Sequence, residues 1–239
     1  MQNEKLTPEQ VVEELSSLLE GRLSTIYRFG SQFASKPGLV RLLVLVDTID
    51  RNLLDRLTPL VGRCQASDIR LRLDTSKDIL RAADAFPVFC LEFRETRELL
   101  KGEDVLTELS VDLSSLRLRV EQGLRVVRRD MVQAYLDQTD AGLATALRRA
   151  THRLVYLLEG VLKVSGAETL QRTPAEVFET AASTLLSADD VGVWKRLHEF
   201  GSLEATLDDD ALLELYADVV RTLGPVVDAV DAMETAVTD

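Results

Sequence analysis

The sequence predicts an α+β protein, with a small mixed-sheet domain over residues 1–105 followed by an all-α helical bundle over residues 110–239. Three observations carry this reading. Short apolar or alternating runs of strand length occur only before Glu95. Beyond Leu113, apolar residues recur every three to four positions through long Leu/Val/Arg/Glu/Ala segments, the spacing of one helix face. Between the two regions lies Lys101-Gly102-Glu103-Asp104, a polar break taken as the junction.

Each element has a local reason. Thr7-Pro8 opens a first helix, Thr as N-cap and Pro at the first helical position, and Val11, Val12, Leu15, Leu18 and Leu19 mark its apolar face. Leu23–Phe29 reads as a first strand, and Leu42–Val46, apolar on both faces, as a covered second strand. Ile49–Val61 is an amphipathic helix. Ile69-Arg-Leu-Arg-Leu73 alternates as a third strand, and Thr75 or Ser76 caps a helix reaching about Ala85. Phe86–Phe93 is expected to be a fourth strand, with Pro87 near its start, where a missing N–H matters least. The bundle is expected to comprise Leu113–Leu136, Ala141–Val164, a helix opened by the capping box Thr173-Pro174-Ala175-Glu176, a shorter one over Asp189–Phe200, and a last one from Asp208 to about Met233. Gly224-Pro225 is expected to kink or break the last.

Composition narrows the function classes. The net charge of −12 is uneven: residues 1–102 balance 15 basic against 15 acidic side chains, whereas residues 103–239 hold 13 against 25. An acidic C-terminal half repels nucleic-acid backbones, so broad non-specific DNA or RNA binding is not expected. Cys64 and Cys90 have no metal-ligand spacing, and His152 and His198 are the only histidines, so no zinc site is expected. The polar N-terminus and the short apolar runs predict no signal peptide and no membrane span, hence a cytoplasmic protein. Trp194 and Tyr216 read as core or interface anchors. Arg117, Arg125, Arg128, Arg129, Arg148, Arg149 and Arg153 read as a solvated face paired to the acidic helices after Asp189, the alternative being a local RNA- or phosphate-binding face.

The order helix, strand, Gly30-Ser31, buried strand, helix, strand and bundle, with Phe86-Pro87 to Glu92 and Leu99 to Asp104 closing the first domain, resembles polymerase-β-like nucleotidyltransferases. The resemblance implies that Gly30 and Ser31 form the turn whose backbone N–H groups and hydroxyl hold a triphosphate. It also implies an Asp-x-Asp pair entering the second strand and a third carboxylate on the next, together holding two Mg²⁺ that clamp the attacking and leaving oxygens. This chain departs from that pattern. Leu39 and Arg41 stand where the pair belongs, Arg70 (or Arg72, two residues on) stands at the third carboxylate, and no Asp or Glu lies between Gly30 and Asp47. Asp47 falls about 20 Å beyond Arg41 at the usual strand rise.

The leading expectation is therefore a degenerate, catalytically inactive nucleotidyltransferase-like protein, without cofactor, acting as a ligand-binding, regulatory or scaffolding module. Its partner would be an anionic small molecule or nucleotide, or a protein or second copy engaged through the helical bundle. Gly30, Ser31, Arg41, Arg70 and Arg72 would bind the phosphate or other anion, because Arg stays ionised and grips phosphate bidentately. Two alternatives stand beside it. One is an active nucleotidyltransferase using Mg²⁺ and a nucleoside triphosphate at a displaced site built from Asp47, Asp68, Asp74 or Glu92. The other is an α-rich interaction module with no small-molecule site.

Overall fold

The computed structural model describes residues 5–30, 39–137, 140–167, 173–202 and 205–233. The elements are α1 (Pro8–Leu18), β1 (Leu23–Phe29), β2 (Val40–Val46), α2 (Arg51–Ala66), β3 (Ile69–Asp74), α3 (Ser76–Arg81), α4 (Pro87–Thr96), β4 (Glu98–Gly102), α5 (Leu113–Leu136), α6 (Asp140–Val164), α7 (Pro174–Leu185), α8 (Ala188–Ser202) and α9 (Asp209–Asp231). They fall into two compact units, Met1–Val111 and Asp112–Asp239.

In the first unit four strands form one mixed sheet, ordered β3-β2-β1-β4. β1 runs antiparallel to β2 and to β4, and β2 runs parallel to β3 through the α2 crossover. The doubly apolar pattern of β2 has its cause here, because the strand is central and both faces are covered. Leu42, Val44 and Val46 pack with Val11, Leu15, Leu53 and Leu57 from α1 and α2. Leu43 and Leu45 pack on the other face with Tyr27, Phe29, Ile79, Cys90 and Phe93. That second face carries every site residue on the strands.

Two expectations are corrected. Phe86–Phe93 is not a strand, because Pro87–Thr96 forms α4. Pro87 sits at the first helical position, where its fixed φ favours a helix. Helical spacing then places Phe89 and Phe93 on one side of α4, 6.1 Å apart and stacked. An eight-residue apolar run fits either structure, and tertiary packing decides it. The fourth strand is instead β4, covering Lys101 and Gly102 of the expected junction. A short edge strand bearing Glu98 and Lys101 is polar enough to pass for a connection. Gly102 must be glycine: its φ is +84°, and a Cβ there would lie 2.2 Å from the Ser24 carbonyl oxygen.

The chain leaving β4 is tied back to the sheet. The Thr25 hydroxyl donates to the Glu103 carbonyl at 2.8 Å. Buried Tyr27 donates to the Asp104 carboxylate at 2.8 Å and accepts from the Val105 N–H at 3.0 Å. Burial, then the hydrogen bond to Asp104, pushes the Tyr27 phenol up to about 12. Tyr27→Phe is expected to destabilise by about 1–3 kcal/mol, since the partly buried Val105 N–H loses its acceptor and Asp104 its donor. The folded value lies above the unfolded one, so this group's contribution is complete below pH ~10 and fades as pH rises through about 12. Urea unfolding from pH 8 to 11.5 should show wild type losing stability that Tyr27→Phe, lacking the phenol, does not lose.

Among the described residues the regular elements of the second unit are all helices, with α6 packed against α5, α7, α8 and α9. Thr173 and Glu176 form the expected reciprocal capping box, and Asp112, not singled out in the sequence, caps α5 by accepting from the Ser115 N–H at 2.7 Å. Hydrogen bonds from the Ser114 hydroxyl and the Ser115 N–H lower the Asp112 carboxyl to about 2. Asp112→Ala is expected to cost about 1 kcal/mol. Because the folded value is depressed, the cap contributes above pH ~4 and is lost as pH falls towards about 2. The difference between wild type and Asp112→Ala in thermal midpoint should therefore shrink over that window.

Trp194 and Tyr216 are core residues. Trp194 Nε1 donates to the Thr222 hydroxyl at 2.9 Å, and the Tyr216 hydroxyl donates to the Met131 carbonyl. Of the kink or break expected at Gly224-Pro225, the break does not occur, and α9 runs on through Pro225. The proline faces solvent, whereas Val219, Thr222 and Leu223 before it, and Val226, Val227 and Val230 after it, are buried. Burial on both sides of the missing N–H holds the helix together. Among the described residues no helix is long and apolar enough to cross a membrane.

Candidate functional site

Strand register brings the arginines together. Arg41 pairs with Arg70 across the parallel β2–β3 ladder, and Leu43 pairs with Arg72. All three arginines thus share one face of the sheet, the face that α3 and α4 cover lower down.

Their surroundings differ. Arg41 grips the Glu92 carboxylate with both Nη atoms, Nη1 reaching Oε2 at 3.2 Å. The pair is largely out of water, with side-chain exposures of 19% for Arg41 and 6% for Glu92. The Arg41 guanidinium also lies 5.0 Å from the Phe29 ring centroid. Arg72 stacks on Phe89 at 3.8 Å and contacts Asp74 at 3.4 Å. Phe29 and Phe89 meet edge to face at 5.7 Å, so the two arginines flank an aromatic pair. Arg70 is exposed and has no ion pair among the described residues. Beside Arg72 is a cavity of about 150 Å³ bounded by Asp74, Asp78, Phe86, Phe89 and Cys90. Burial pushes the Cys90 thiol up to about 11, so it stays protonated and is no nucleophile at neutral pH.

Gly30 ends β1 with φ +109°, a conformation open to glycine alone. The space above it is filled: a Cβ there would lie 2.3 Å from an Arg41 guanidinium nitrogen. The Gly30 N–H donates to the Thr96 hydroxyl at 2.9 Å, and that hydroxyl donates to the Glu92 carbonyl at 2.7 Å. The end of β1 is thereby fastened to α4. Ser31, the other half of the expected turn, lies outside the described residues.

The carboxylates of the displaced-metal alternative are dispersed. Asp47 is exposed beyond the end of β2. Asp68, at φ +60° before β3, contacts Lys5 at 3.3 Å. Asp74 accepts from the Thr75 N–H and meets Arg72, while Glu92 is engaged by Arg41. Among the described residues no three His, Cys, Asp or Glu side chains come together as metal ligands would. The Arg41–Glu92 pair is what sequence reasoning missed. Its only signal was a lone Glu among the apolar residues of Phe86–Phe93.

In the bundle, Arg117 and Arg125 pair with Glu121 and Asp231, and Arg153 pairs with Asp130. Of the pairing expected with the acidic helices after Asp189, Asp231 of α9 supplies part, whereas Glu121 and Asp130 belong to α5 itself. A groove of about 860 Å³ runs between α5 and α6 over Val127, Met131, Ala146 and Ala150. His198 lies against Phe178 at 5.3 Å, and burial lowers its imidazole.

No protein-family model matches the chain, and no curated protein matches it. Among solved structures it is similar to spectinomycin adenyltransferase AAD(9) from Enterococcus faecialis, solved with ATP and spectinomycin. The two share 12% identity with a TM-score of 0.55, over 92% of this chain and 97% of that one. The likeness is one of fold: the chain has a nucleotidyltransferase-like fold with a helical region after the mixed sheet.

Proposed function

We propose that the protein is a binding and regulatory module on a nucleotidyltransferase-like scaffold, which holds an anionic ligand with arginine charge and does not transfer nucleotidyl groups. The observation that carries this is the Arg41–Glu92 pair. An arginine stands where the resemblance places a metal-binding aspartate, and its charge is already matched by a buried carboxylate. Two-metal phosphoryl chemistry needs convergent hard oxygen ligands at that point, and a guanidinium repels the ions. Arg70 and Arg72 supply the accessible positive charge on the same face, and a guanidinium binds phosphate in two-pronged fashion without metal. The ATP bound to the structurally similar adenyltransferase makes nucleotides the first ligands to try.

Calorimetric titration of ATP in EDTA tests the reading. Wild type is expected to bind, and Arg70→Ala/Arg72→Ala to bind at least tenfold more weakly, about 1.4 kcal/mol. Equal affinity in the two proteins, or no binding to wild type, contradicts it. Incubation of wild type with labelled ATP and Mg²⁺ should give no nucleotidylated product.

A further inference from the structure

We infer that Glu92 is a built-in anion that occupies Arg41 and yields it to a phosphoryl dianion, so that ligand and Glu92 compete for one guanidinium. The inference rests on the arginine-lined site proposed above and names how that site is regulated. The two-pronged contact between Arg41 and Glu92 is the geometry in which Arg also takes phosphate. The partners come from different elements, β2 and α4, 51 residues apart, so parting them breaks no bond within either element. The guanidinium rests on the bare backbone of Gly30, the turn where the resemblance places a phosphate. Arg70 stands beside Arg41 in register, is exposed and has no ion pair among the described residues, so a second guanidinium is at hand for a doubly charged ligand. A phosphoryl dianion in place of the carboxylate would balance both. Thr96 keeps the turn and α4 in register while the exchange occurs, through its bonds to Gly30 and to the Glu92 backbone.

The test is titration of inorganic pyrophosphate in EDTA at constant ionic strength. Glu92→Gln, of equal size but without the charge, is expected to bind at least tenfold tighter than wild type. Glu92→Gln/Arg41→Ala is expected to lose that gain. Unchanged affinity in Glu92→Gln overturns the inference, as does a gain that survives removal of Arg41. Should Glu92→Gln fail to fold, Glu92→Asp keeps the charge but withdraws it by one methylene. It too should bind tighter than wild type, and wild-type affinity there overturns the inference. Arg70→Ala/Arg72→Ala separates this idea from the reading beneath it. Wild-type binding that needs Arg70 and Arg72 but ignores Glu92 defeats the competition and leaves the arginine-lined site. A gain in Glu92→Gln that ignores Arg70 and Arg72 supports the competition and defeats the proposed make-up of the site.

Discussion

Arg41→Ala is expected to destabilise the protein by about 3 kcal/mol, because it strips the guanidinium from a carboxylate that is only 6% exposed. Breaking a buried pair from one side leaves a charge in a medium that solvates it poorly, which costs more than the pair contributes net. The Arg41 stem and its contact with the Phe29 ring are lost as well. A thermal midpoint lower by roughly 6–12 °C would follow for a chain of this size. The double variant Arg41→Met/Glu92→Leu tests the cause, since it removes both charges and keeps the volume. It should recover much of the loss, as apolar replacements of buried pairs often do. A double variant as unstable as Arg41→Ala would mean that packing, and not the buried charge, sets the cost.

Gly30→Ala is expected to cost about 3 kcal/mol by two separable routes. Backbone strain at φ +109° contributes about 1–3 kcal/mol for any residue with a Cβ. The remainder comes from Arg41, whose guanidinium would meet the new methyl at 2.3 Å and must swing away from Glu92. The two substitutions should therefore couple. In an Arg41→Ala background the steric conflict is gone, and Gly30→Ala should cost only the strain. Urea unfolding of the four proteins gives the coupling directly. Equal costs in both backgrounds would mean that Arg41 does not rest on Gly30 in solution.

Most of the framework is legible along the chain because its causes are local. Thr7-Pro8, Thr173-Glu176 and Asp208 mark helix starts through caps that need only neighbouring residues. β2 and β3 follow from apolar and alternating patterns of strand length. The failures share a different cause. Phe86–Phe93 has no periodicity that separates strand from helix, and the choice is made by edge-to-face packing of Phe89 on Phe29 and of Phe93 on Tyr27, 60 and 66 residues earlier. β4 is five residues at a sheet edge, and its partner β1 lies some 70 residues back. The candidate site was half legible. Alternation placed Arg70 and Arg72 on one face, and register adds Arg41. Nothing local linked Arg41 to Glu92, because that contact exists only once α4 is a helix packed on the sheet.

Placing Glu92 on a helix also changes the chemistry expected of it. Under the strand reading it stood among carboxylates available to a displaced metal site. On α4 its oxygens meet Arg41, at the position a metal-binding aspartate would hold in the resembling family. The remaining acids, Asp47, Asp68 and Asp74, lie at three different strand ends.

The most direct measurement is thermal unfolding with a panel of nucleoside triphosphates, each with EDTA and with Mg²⁺. A ligand at about 100 times its dissociation constant adds about 2.7 kcal/mol, a rise of several degrees. Arginine-held binding calls for at least one nucleotide that raises the midpoint in EDTA, with Mg²⁺ adding nothing. A rise that appears only with Mg²⁺ would contradict the account, and no rise with any nucleotide would remove the anion site from it.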